Sequence, residues 1–181
     1  MKSKISFKIR PATVNDVPAI LRLVKALAEY EKLADQVTAT EELFRKFGFG
    51  KKKYYYALIA EKIDGTEKSQ IGFALYFFTF STFLSKPTLY LEDLFVLPEY
   101  RGNGVGKALL TALAKIALQR GCGRMEWAVL DWNEPAIQFY KNLGARPLND
   151  WTTFRLNTTE IQKLATSSNV TELNPHSGHP D

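Results

Sequence analysis

Two histidines and one cysteine are all that this 181-residue chain offers to imidazole or thiol chemistry. His176 and His179 both stand in a C-terminal Ser/Asn/Pro/Gly/His stretch of frayed character. A Ser-His-Asp triad or a His-based zinc site within the folded body is therefore excluded, and no metal is expected. Cys122 alone can form no internal disulfide and fits a reducing, cytoplasmic setting. The longest apolar run, Ile71 to Phe80, falls far short of the roughly 20 residues that cross a bilayer. The opening MKSKISFKIR has no apolar core of the secretory kind, so neither a signal peptide nor a membrane partner is expected. Proton transfer must rest on Glu, Asp, Tyr, Lys or water.

What is present is the composition of one ordinary globular domain, with 45% hydrophobic and 24% charged residues. A net charge of +5 invites a polyanion. The basic residues are scattered, however, and no nucleic-acid motif appears. The one dense patch, Lys51-Lys52-Lys53 before Tyr54-Tyr55-Tyr56, reads as a solvated turn entering a strand. A phosphate-rich small molecule uses positive charge equally well.

Patterning predicts a strand at Ile5 to Ile9, then a helix opened by Thr13 with Asp16 three residues on, an acidic variant of the capping box. That helix carries Val17, Ile20, Leu21, Val24, Leu27 and Ala28 on one stripe. Thr40 to Phe47 reads as a second helix closed by Gly48. Tyr54 to Lys62 and Gln70 to Phe80 read as antiparallel strands around Asp64-Gly65. The second of these is apolar on both faces and belongs inside the sheet. Strands are predicted at Thr88 to Val96, Met125 to Leu130 and Thr152 to Leu156. Helices are predicted from Val105, stopped by Gly121, and over Asn133 to Leu143, stopped by Gly144. The class is α+β: a mixed, mostly antiparallel twisted sheet flanked by helices, in a single domain over residues 5–157 with a tail over 158–181 whose end is expected to be disordered.

Between the fourth strand and the third helix stands Tyr100-Arg101-Gly102-Asn103-Gly104-Val105-Gly106-Lys107. Glycines let the main chain wrap a phosphate, and the emerging helix aims unpaired N–H groups at it. A Walker loop aligned on Gly106-Lys107 would need glycine at Arg101 and a hydroxyl at Ala108. The dinucleotide fingerprint would need glycine at Lys107 or Leu109. Both fail, leaving Arg-x-x-Gly-x-Gly at Arg101, Gly104 and Gly106.

That pattern resembles the coenzyme A pyrophosphate loop of the GNAT N-acetyltransferase superfamily. Ala28-Glu29-Tyr30-Glu31-Lys32-Leu33, Tyr90-Leu91-Glu92-Asp93-Leu94-Phe95-Val96 and Asp131-Trp132-Asn133-Glu134-Pro135 with Tyr140 are similar to its diamine acetyltransferase branch, and most of all to the thialysine N-epsilon-acetyltransferase group. The resemblance spans residues 5–157. It implies acetyl-CoA as co-substrate, held by Arg101, Gly102, Asn103, Gly104, Val105, Gly106 and Lys107 at the pyrophosphate. Backbone groups of Leu94, Phe95 and Val96 would pair with the pantetheine, and Asn133, Pro135, Ala136 and Tyr140 would follow the cofactor arm. It further implies a small-molecule amine acceptor bordered by Tyr30 and Glu31, and a homodimer.

The chemistry suits these residues. An alkylamine of pKa near 10.4 is unprotonated only about once in a few thousand molecules at pH 7, so a nearby carboxylate that attracts the ammonium and receives its proton is useful. Glu92 is the candidate, since a carboxylate inside an apolar strand is costly unless it is paired or bound to something. Strand alternation sets Tyr90, Glu92 and Leu94 on one face and Asp93 on the other, as a structural acid. The resemblance implies that Tyr140 protonates the leaving thiolate; by spacing alone it belongs to an apolar helix stripe. Glu31 continues the stripe of the first helix, facing inward or lining a cleft edge. Cys122, after a helix cap, reads as inert, which favours direct attack by the amine over an acyl-cysteine. Polyamine-type relatives carry an acid in the loop after Thr79. Here it reads Phe80-Ser81-Thr82-Phe83, which favours a shorter amine with its own carboxylate. The competing expectations are an acetyltransferase of protein lysines or N-termini and a non-catalytic CoA-binding regulator.

Overall fold

The computed structural model describes residues 5–64 and 67–167. Within them, contacts cluster into two compact units, residues 5–130 and 131–167, which are taken in turn.

The first unit contains a five-stranded sheet in the order β1-β2-β3-β4-β5: Phe7–Pro11, Tyr56–Asp64, Glu67–Ser81, Lys86–Val96 and Arg124–Trp127. The first four strands pair antiparallel, and β4 pairs parallel with β5. The mixed, mostly antiparallel sheet expected from sequence is thus observed, with β3 at its centre. Its helices are α1 (Val17–Tyr30), α2 (Glu41–Phe49) and α3 (Val105–Gln119). The expected hairpin turn at Gly65, like His176 and His179, lies outside the described residues.

Two apolar layers follow from strand alternation. Ala57, Ile59, Phe73, Leu75 and Phe95 meet Ile20 and Leu23 of α1 in one buried cluster, and Phe44 of α2 packs against it. The opposite face buries Leu58, Ala60, Ala74, Leu89 and Leu91, along with Val105, Leu109, Leu110 and Leu113 of α3. Leu23, which the stripe read from sequence omits, is fully buried.

The entry to α1 is fixed by charge. Arg10 on β1 donates through both terminal guanidinium nitrogens to Asp16, at 2.8 and 2.7 Å, and through Nε to Glu61 on β2 at 3.0 Å. Lys8 adds a 3.1 Å ion pair to Glu61. Asp16 accepts from the backbone N–H of Thr13 at 2.7 Å, the predicted acidic cap, although a short 3₁₀ turn over Val14–Asp16 precedes the helix. Asp16 and Glu61 are both buried, and their carboxyls are held below the ordinary range by Arg10 (Asp16 to about 2). The second helix begins at its Thr40 cap but runs through Gly48 to Phe49. Gly48 is needed inside it because a Cβ there would lie 2.2 Å from the Tyr55 ring.

The second unit holds α4 (Glu134–Asn142), which ends at Gly144 in the left-handed region (φ 89°), and α5 (Thr158–Thr166). The strand expected at Thr152 to Leu156 is not formed, and the segment is irregular and exposed. A strand persists only where a neighbour takes up its backbone groups, and the described residues of this unit contain none. Within the segment expected as a tail, Thr158–Thr166 form α5.

Candidate active site

The reactive surface is organised by one irregularity in β4. Leu75 lies opposite Asp93, but the next residue, Tyr76, lies opposite Leu91. Glu92 is therefore an extra residue in the strand, a β-bulge. One added residue inverts the alternation beyond it. Tyr90, paired with Phe77, and Asp93 and Phe95, paired with Leu75 and Phe73, all share the face covered by α1, while Leu89, Leu91 and Leu94 share the other. The expected sharing of one face by Tyr90, Glu92 and Leu94, with Asp93 opposite, is corrected accordingly: Tyr90 joins Asp93 on the α1 face, Leu94 lies on the other, and Glu92 is exposed at the bulge. The bulge also relieves the cost that argued for a special role of Glu92, because this carboxylate reaches water.

Asp93 carries that cost instead. It is half-buried, and desolvation together with the charges of Glu92 and Glu31 raises its pKa to about 7. Glu31, directly after the last residue of α1, is itself raised by burial. Tyr90 is raised by burial and then by Glu92 and Glu126, and Glu126 is its cross-strand partner on β5. Tyr90 also packs on Phe77 with ring centroids 5.2 Å apart. Four carboxylates and two aromatic rings thus gather where α1 ends over the middle of β4. Such a surface attracts a cation and makes a carboxyl titrate near neutrality.

Beside it, the β4–β5 ladder stops at Leu91 and Trp127, whereas β4 continues to Val96. Among the described residues, 93–96 consequently have strand pairing on the β3 side alone, and their other edge can accept an extended ligand. The glycine loop follows. Gly102 and Gly104 take φ of 80° and 83°, and a Cβ at either would meet nothing within 4 Å, so the loop presents an open face. Gly104 is the N-cap of α3, and the first intrahelical bond to it comes from Ala108 at 2.9 Å. The N–H groups of Val105, Gly106 and Lys107 precede that bond and point out of the helix start. A pyrophosphate fits this arrangement, since backbone donors, a helix N-terminus and room for close approach coincide. The side chains of Arg101 and Asn103 behave differently. Asn103 donates to the carbonyls of Tyr100 and Arg101 at 3.1 and 3.3 Å, and Arg101 Nε donates to the Val96 carbonyl at 2.9 Å.

The second unit carries the remaining candidates. Asn133 caps α4, its side-chain oxygen accepting from Ala136 N–H at 3.4 Å, and it is buried. Pro135 and Ala136 form the first turn. Tyr140 lies two turns on, with its ring 5.4 Å from that of Phe139.

Residues 20–145 match the model of the Acetyltransferase (GNAT) family. The chain belongs to that family. It is 42% identical over 167 residues to the thialysine N-epsilon-acetyltransferase of Sus scrofa, covering 88% of this chain and 98% of that one. To the L-ornithine N5-acetyltransferase of Arabidopsis thaliana it is 30% identical, with 87% of each chain covered. An integron cassette protein from V. cholerae superposes with a TM-score of 0.71 at 26% identity, over 90% of this chain and 99% of that one. This GNAT chain is therefore an acyltransferase that transfers acetyl groups to amines, and the family implies acetyl-CoA as its co-substrate.

Sequence reasoning did not single out Asp93, Tyr90 or Glu126 for the site. A signal for the first was present: two consecutive acids inside Leu91-Glu92-Asp93-Leu94 cannot both be accommodated by a regular strand buried on both faces.

Proposed function

We propose that this GNAT enzyme acetylates the side-chain amine of a small amino acid, thialysine or another lysine analogue foremost, by direct attack of the amine. The observation that carries this reading is the bulge in β4, which gathers Glu92, Asp93 and Tyr90 beside Glu31. Acetyl-CoA supplies the activated acetyl thioester, with the loop Arg101–Lys107 as its pyrophosphate cradle and the open edge of Leu94–Val96 as the pantetheine partner.

The acceptor arrives as an ammonium, and deprotonating it at pH 7 costs about 4 to 5 kcal/mol. Asp93 and Glu31 hold the cation, and exposed Glu92 takes its proton through water. Tyr140 protonates the departing thiolate, and Asn133 orients the cofactor arm. Cys122 follows the C-terminal end of α3, about 22 Å of helix away from the glycine loop at 1.5 Å per residue, which supports direct attack over an acyl-cysteine. The amino-acid acceptor is supported by two relatives named for thialysine and ornithine, each an amine with its own carboxylate. It is supported as well by the β3–β4 turn: Ser81 is buried and its Oγ accepts from Leu84 N–H at 3.3 Å, so no acid stands there for a long polycation. A cytoplasmic homodimer completes the proposal, and light scattering reads the oligomeric state.

The test is thiol release from acetyl-CoA with thialysine, lysine, ornithine, putrescine, spermidine and a lysine peptide. Thialysine or ornithine is expected to lead. Spermidine far ahead would refute the acceptor assignment, and CoA binding without turnover on any amine would refute the catalytic one.

A further inference from the structure

The guanidinium of Arg101, in the glycine loop, is engaged by groups of the protein itself. Its Nε donates to the Val96 carbonyl at 2.9 Å, fastening the loop to the last residue of β4. Its Cζ lies 4.4 Å from the ring centroid of Tyr30 and 5.4 Å from that of Phe95. Arg101 N–H closes the turn on Pro98 at 3.2 Å, and Asn103 ties the loop internally. The side chain thus joins three elements: the loop, the end of β4, and the last residue of α1. Tyr30 in turn immediately precedes Glu31, whose charge reaches Asp93.

We infer that Arg101 is a positioning residue rather than a phosphate ligand, and that through its stack on Tyr30 it couples the conformation of the pyrophosphate loop to the acceptor side of the site. The guanidinium is suited to this because it is planar, weakly hydrated and able to stack on a ring while Nε donates sideways. A lysine supplies the same charge but neither the plane nor the lateral N–H. The consequence is specific. Tyr30, which borders the amine, should control affinity for CoA, although the loop's donors to CoA lie beyond it. Conversely, a phosphate ligand would be replaced tolerably by lysine and would be indifferent to Tyr30.

The inference rests on the glycine loop holding CoA, so the first measurement is CoA binding to the unaltered protein by calorimetry; its absence overturns the loop assignment and the coupling with it, whereas binding that is indifferent to the variants below overturns the coupling alone. Given binding, Tyr30→Leu and Arg101→Lys are each expected to weaken CoA by about three- to thirty-fold, the range of a ring–cation contact. Tyr30→Phe keeps the ring and should stay within about twofold. The double variant Tyr30→Leu/Arg101→Lys should bind no worse than the weaker single one, because both remove the same contact. Thermal melts report the fold of each variant, and the two conservative changes, Tyr30→Phe and Arg101→Lys, keep the test decisive if Tyr30→Leu does not fold. Retained affinity in Arg101→Lys, or single effects that multiply in the double variant, overturns the inference.

Discussion

Replacing Asp93 by asparagine tests the central geometry, because burying one carboxyl beside two others leaves a thermodynamic signature that does not depend on any ligand. In the folded protein its pKa rises from 3.8 to about 7. The native state therefore binds this proton more tightly than the unfolded chain does. Stability from this group is fully present below pH 3.8, and it is lost progressively as pH rises from there through about 7. Three units correspond to about 4 kcal/mol at about 1.4 kcal/mol per unit, and water at the half-buried carboxyl reduces this to about 2 kcal/mol. An asparagine side chain stays neutral and avoids the loss. For a chain of this size about 2 kcal/mol is about 4 to 8 °C in Tm. The melting temperature of Asp93→Asn relative to the parent should therefore climb by that amount between about pH 4 and about pH 8. The same titration should appear in acceptor binding: the parent loses affinity for the ammonium as pH falls below about 7, and the variant shows no such limb. A Tm difference that is flat with pH would refute the placement of Asp93 against Glu31 and Glu92, whatever its activity.

Other outcomes follow from single contacts. Arg10→Met leaves Asp16 and Glu61 buried without their cation and should cost about 3 kcal/mol near neutrality, read by urea unfolding. Since both carboxyls have lowered folded pKa values, the penalty should shrink as pH falls below about 4 and they protonate. Thr88→Val should stabilise by about 1 kcal/mol, because Thr88 Oγ1 is fully buried without a hydrogen-bond partner; a loss of stability would reveal one. Tyr140→Phe should lower kcat by about a hundredfold with little change in the KM for the amine, and full activity would remove Tyr140 from the acid role.

Much of the architecture is legible in the sequence alone. Strands β1 to β4, helices α1 to α4, the central place of β3 and the helix-ending glycines 121 and 144 all express local rules: periodicity, capping and positive φ. Boundaries moved by a few residues where a ladder partner, rather than propensity, decides the last bond. At β5 the strand stops at Trp127, short of the expected Leu130. At Thr152 to Leu156 the alternating pattern found no neighbour in its unit and made no strand.

The candidate site divides along the same line. Local sequence specifies a glycine loop suited to a phosphate group and an acidic pair on the strand before it, because spacing along the chain is enough to place backbone N–H groups at a helix start. Which of the two acids faces α1, and what Arg101 holds, are settled by contacts between distant segments. A bulge is set by the register of β3 against β4, and a stack of Arg101 on Tyr30 joins residues 71 positions apart, which no local pattern encodes.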